Sequence, residues 1–77
     1  MVVAYALLEA DTSDMDGLVA DVTDIEGVTD AHMVAGDVDV IARIEVADPG
    51  SASTVINRKI AALDAVSDTE TYMSMDG

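Results

Sequence analysis

Seventy-seven residues without a cysteine suit a single domain and exclude a disulfide framework or a thiolate metal site. Sixteen acidic residues against three basic ones, Arg43, Arg58 and Lys59, give a formal net charge of −13 and argue against direct nucleic-acid binding, which needs lysine and arginine to displace counterions. Hydrophobic residues nonetheless make up 51% of the chain, so the composition is that of a folded core in an acidic shell rather than a disordered chain. Such a shell suits high salt, where a Debye length of about 3 Å at 1 M screens self-repulsion. A core this small is expected to lean on association with other subunits.

The chain opens on an apolar strand, about Val2 to Leu8, whose residues are apolar on both faces. It has no positively charged stretch before it, so it reads as a strand rather than a signal peptide. No apolar run approaches the roughly 18 residues of a membrane span, and a cytoplasmic protein with no membrane partner is expected. Ser13 with Asp16 three residues on predicts a capped helix start. Met15, Leu18, Val19, Val22 and Ile25 then recur at helical spacing, and Gly27 supplies a left-handed stop. Val28–Ala35 and Val38–Val46 are predicted strands around a tight Gly36-Asp37 turn. Asp48-Pro49 predicts the cap and first residue of a second helix, with Ser51 as an alternative cap. Its buried stripe is Ala52, Val55, Ile56, Ile60 and Leu63. The last strand is predicted over Val66–Met75, with Thr69, Thr71, Met73 and Met75 on one face and Glu70 and Tyr72 on the other.

Ile25-Glu26-Gly27-Val28-Thr29-Asp30 returns class for class as Leu63-Asp64-Ala65-Val66-Ser67-Asp68, 38 positions later. The repeat predicts two βαβ-like halves, hence an α+β domain of order β-α-β-β-α-β with a four-stranded antiparallel sheet. Two helices cover only one face of such a sheet, and a partner subunit is the simplest cover for the other.

This order of elements, and several short motifs, resembles the effector-binding (RAM) domain of the Lrp/AsnC transcription regulators, over nearly the whole chain. The motifs are Ala4-Tyr5-Ala6-Leu7, Ile25-Glu26-Gly27-Val28, Val34-Ala35-Gly36-Asp37-Val38-Asp39, Lys59-Ile60, Leu63-Asp64-Ala65-Val66 and Thr69-Glu70-Thr71. None is specific alone; their order and spacing carry the resemblance. It implies a ferredoxin-like fold, dimers formed through the sheet faces, rings of up to eight subunits, and an amino acid or related metabolite bound between subunits. Carried over by residue, it implicates Val34, Gly36 and Asp39 from the hairpin and Thr69 and Thr71 from the last strand. The resemblance is to a stand-alone form, of haloarchaeal type, lacking the helix-turn-helix. It therefore implies co-assembly with full-length regulators rather than direct DNA contact. Val38 stands where the family has an aromatic residue, which changes the packing around any ligand.

The chemistry at these positions suits a zwitterion. A glycine turn offers main-chain N–H groups to a carboxylate, Asp39 can accept from an ammonium, and threonine hydroxyls donate or accept. Each residue also has a plainer reading. Gly36-Asp37 is a turn, and Thr69 and Thr71 are ordinary strand residues. Asp37 and Asp39 do not make a cation cage, and Asp14 and Asp16 complement a helix N-terminus. The lone His32 is a surface or interface residue, and Met15, Met33, Met73 and Met75 are core or interface fill. No catalytic constellation, metal site or cofactor is readable, and with Tyr5 and Tyr72 the only aromatics there is no platform for bases. A sensor and assembly module is the leading reading. The alternatives are a pure scaffold with an empty pocket and a small ferredoxin-like enzyme.

Overall fold

In the computed structural model, which describes residues 1–76, the strands are β1 (Val2–Ala10), β2 (Val28–Met33), β3 (Val40–Val46) and β4 (Val66–Met73). The helices are α1 (Met15–Thr23) and α2 (Pro49–Thr54), the latter continuing as a π-helical segment, Val55–Ile60. The sheet order is β2-β3-β1-β4 with every neighbouring pair antiparallel, the ferredoxin-like β-α-β-β-α-β arrangement expected from the sequence.

Alternation along the central strands decides which face is core. Ala4, Ala6 and Leu8 of β1 and Val40, Ala42 and Ile44 of β3 are fully buried against Leu18, Val22, Ala52, Ile56 and Ile60 of the helices. Ala6 sits directly opposite Ala42, so the middle of the sheet carries small side chains where the helices approach. In the π-helical segment the Ala61 N–H reaches back to the Ile56 carbonyl (2.9 Å), and Val55, Ile56 and Ile60 stay on the buried side as the stripe predicts.

Several boundaries differ from those read in the sequence. Helix α1 is capped by Asp14, whose Oδ1 accepts from the Gly17 N–H (3.0 Å), and not by the Ser13–Asp16 pair. Strand β1 runs on to Ala10, and β4 stops at Met73 rather than Met75. The β2–β3 connection is not a two-residue turn. It is closed by the Val34 N–H donating to the Asp39 carbonyl (2.9 Å), with Ala35–Val38 as the loop, and Gly36 has no positive φ. The second helix starts as expected: Asp48 Oδ1 accepts from the Ser51 N–H (2.7 Å) and Pro49 occupies the first turn. Gly27 has a φ of +102°, the left-handed stop that the sequence implies.

The internal repeat is realised bond for bond. Ile25 N–H donates to the Val22 carbonyl and Val28 N–H to the Ile25 carbonyl; Leu63 and Val66 do the same to Ile60 and Leu63. Each half then enters its edge strand through a register shift. Val28 pairs with Ile44 but Asp30 with Arg43, leaving Thr29 as the extra residue. Val66 pairs with Ala10 but Asp68 with Glu9, leaving Ser67 as the extra residue. The repeat thus places one bulged hydroxyl residue and one aspartate at each edge of the sheet.

Candidate functional site

On the sheet face opposite the helices, the alternation places Val3, Tyr5, Leu7 and Glu9 of β1 beside Ile41, Arg43 and Glu45 of β3. Asp30 and His32 of β2 and Asp68, Glu70 and Tyr72 of β4 complete it. Tyr5 is 38% exposed and Tyr72 52%, in a cross-strand row with Arg43. Arg43 donates to Glu45 (2.8 Å) and to the Thr29 hydroxyl (3.1 Å). The hydrogen bond to Glu45, ahead of contacts with Tyr5, holds its guanidinium more firmly protonated than usual. The Tyr72 hydroxyl donates to Glu70 (2.6 Å), and this bond and the carboxylate's charge push the phenol's pKa up. His32 lies 3.7 Å from Asp30 on the same face, and both are well exposed.

The residues singled out in the sequence fall into two groups. Val34, Gly36 and Asp39 form the β2–β3 loop, where a Cβ on Gly36 would meet nothing within 4 Å, leaving its main chain open to approach. Asp39 is more tightly held than the sequence suggests. Its N–H donates to the Leu8 carbonyl (2.9 Å), and its Oδ2 accepts from the Ala10 N–H (2.9 Å). The carboxylate therefore fastens the loop to the end of β1 with one oxygen.

Thr69 and Thr71 lie on the other side of β1, opposite Leu8 and Ala6, and so on the helix-side face. Leu8 in turn pairs with Val40, so Thr69 stands roughly 10 Å from β3, two strand spacings. Thr69 borders a depression of about 180 Å³ with Ala61, Val66, Ser67 and Asp68, and none of the loop residues reaches it. Within one chain the two groups are thus separate. A larger cleft of about 810 Å³ lies at the opposite end of the sheet, between Gly27, Glu45–Ala47 and the start of α2, and contains none of Val34, Gly36, Asp39, Thr69 and Thr71.

Two residues to which the sequence reading gave no functional role sit between the two groups. Glu9 on β1 directly faces Asp68 on β4. The Glu9 carboxyl is held protonated to higher pH than usual, first by a hydrogen bond shared with Asp68, then by loss of water contact and the charges of Asp68, Asp39 and Glu70. Residue types alone cannot reveal this pair, because it depends on the long-range register between β1 and β4, of which it is the last pair before the bulge.

Among the described residues no cluster of three or more His, Cys, Asp or Glu side chains is arranged to hold a metal ion. Among the described residues no helix is long and apolar enough to cross a membrane.

The family model of the Lrp/AsnC ligand binding domain matches residues 3–77, nearly the whole chain, and the chain belongs to that family. Among solved structures, a protein from Thermus thermophilus superposes with a TM-score of 0.91 at 22% identity, covering 100% of this chain and 96% of that one. Escherichia coli AsnC superposes with a TM-score of 0.88 at 18% identity; 99% of this chain matches 52% of AsnC, so the similarity spans about half of that regulator. A transcriptional regulator from Neisseria meningitidis, solved as an L-Met complex, gives a TM-score of 0.83 at 13% identity over 96% of this chain and 49% of that one. At these identities the superpositions establish the fold. No curated protein matches the sequence.

Proposed function

We propose that this unit of the Lrp/AsnC family, residues 1–77, senses an amino acid or a related small metabolite and assembles into a homo-oligomer, with the effector bound between subunits. Family membership supports a regulatory effector-binding role over an enzymatic one. The observation that supports binding between subunits is the separation of the two residue groups. The loop of Val34, Gly36 and Asp39 and the strand residues Thr69 and Thr71 lie on opposite sides of β1, and a neighbouring subunit can complete what one chain leaves open. The bound methionine of the Neisseria regulator makes L-methionine the first ligand to test. Association over the sheet face is supported by the exposed Tyr5 and Tyr72 beside the half-buried Leu7 and Ile41, an apolar patch without a helix above it. Co-assembly with full-length regulators of the family follows from the same reading.

The test is calorimetry with a panel of amino acids in multimolar KCl, alongside light scattering. Saturable binding by an oligomer supports the reading. An oligomer that binds no member of the panel gives the lead to a scaffold role, and a stable monomer at micromolar concentration overturns assembly.

A further inference from the structure

The two edges of the sheet are built from one repeated device but carry opposite electrostatics. In the first half, the residue after the bulged Thr29 is Asp30, whose partner across the ladder is Arg43. In the second half, the residue after Ser67 is Asp68, whose partner is Glu9. An opposite-charge pair across antiparallel strands stabilises the ladder, and a like-charge pair opposes it. The charges that bear on Glu9 are Asp68 and Glu70 on β4 and Asp39 just before β3, and all are negative. Arg43, the cation on this face, is opposite Tyr5, four residues up β1 and so roughly 13 Å from Glu9 along the strand. The ladder between Glu9 and Asp68 is therefore sound when one proton is shared between the carboxyls and is opposed when both are ionised. Beyond the bulge it is anchored by the Asp11 N–H donating to the Ala65 carbonyl (2.8 Å), so any loosening is confined to the first residues of β4.

We propose that the Glu9–Asp68 carboxyl pair is a proton-responsive clasp that sets how tightly the start of β4, including Thr69, is held to β1. The sign follows from the direction of the Glu9 shift. Its carboxyl keeps its proton to higher pH in the fold than in the unfolded chain, so the clasp's contribution is fully present below the pKa of an unfolded glutamate and is lost as pH rises through the folded value. Acidification thus tightens the β1–β4 edge, and alkalinisation loosens it. The clasp belongs to the chain itself and needs no ligand, so it stands or falls separately from the effector reading.

The experiment is a carboxyl-carbon NMR titration with amide hydrogen-exchange protection factors at constant multimolar KCl, on the wild type, Glu9→Gln and Asp68→Asn. The Glu9 midpoint is expected to move down in Asp68→Asn. In the wild type, protection at Thr69 and Glu70, relative to Ile44 at the centre of the sheet, should rise as pH falls through the Glu9 midpoint. In Glu9→Gln that dependence should vanish and protection should stay at its acid level. A Glu9 midpoint unmoved by Asp68→Asn overturns the proposal, as does protection of Thr69 that follows pH equally in the wild type and Glu9→Gln. Should Asp68→Asn fail to fold, the comparison of the wild type with Glu9→Gln decides alone.

Discussion

Asp39 has two roles to separate, and the structure supplies the substitutions that do so. Its Oδ2 accepts from the Ala10 N–H, while its second oxygen makes no hydrogen bond among the described residues. Asp39→Ala removes the acceptor and strands the Ala10 N–H at a half-buried position. A hydrogen bond to a charged acceptor contributes about 1.5–3 kcal/mol when well buried, and partial exposure lowers this to about 1 kcal/mol. For a domain of this size that is a fall in Tm of about 4–8 °C. Asp39→Asn keeps a carbonyl oxygen where Oδ2 stands and removes only the charge, so its Tm should stay within about 2 °C of the wild type. If the free oxygen holds a ligand's ammonium, both variants should lose affinity by about ten- to a hundredfold. Thermal melts by circular dichroism in constant multimolar KCl, with calorimetry on any amino acid that binds, read the two effects separately. An Asp39→Ala protein that melts with the wild type refutes the fastening role. An Asp39→Asn protein with undiminished affinity refutes the ammonium contact.

Three further outcomes are expected. Removal of KCl should unfold or dissociate the protein, because a net charge of −13 is then unscreened, and full native circular dichroism at low ionic strength would count against the salt-adapted reading. Gly27→Ala should destabilise by about 1–2 kcal/mol, since it forces a side chain into the left-handed region. The new Cβ would also come within 3.2 Å of Val55 and 3.3 Å of Val46, and an unchanged denaturation midpoint would sink this account. Thr69→Val and Thr71→Val should each weaken effector binding by about 0.5–1.5 kcal/mol without changing the oligomer, as seen by calorimetry and light scattering.

What the sequence made legible, and what it hid, divides along a physical line. Periodicity and caps report local structure, so the stripe of Ala52, Val55, Ile56 and Ile60, the Asp48-Pro49 helix start and the Gly27 stop were all readable. Fold order followed from the repeat for the same reason. The Gly36-Asp37 turn misled because dipeptide turn chemistry assumes that only the two flanking strands fix the loop. Here Asp39 is also bound to β1 through its N–H and its carboxylate, and a third strand settles where β3 begins. The sequence named candidate site residues one by one but not their arrangement, since Thr69 and Asp39 are brought to the same end of the sheet only by the β1–β4 and β1–β3 registers.

The repeat carries this reasoning one step further. Val28-Thr29-Asp30 and Val66-Ser67-Asp68 are the same local instruction, and each folds into the same bulge at an edge strand. Their consequences differ because the long-range partner differs, Arg43 for one aspartate and Glu9 for the other. Asp30 borders His32 and Arg43 on an edge where charge is partly matched. Asp68 faces Glu9, on which the charges of Asp39 and Glu70 also bear, on an edge where charge is not matched. In a chain with three basic residues, only one aspartate of the duplicated pair has an arginine as its ladder partner. The edge left without one is β4, the strand that bears Thr69 and Thr71. The edge that carries the like-charge pair and the candidate effector strand are therefore the same element, so the ionisation of Glu9 acts on the segment that bears Thr69.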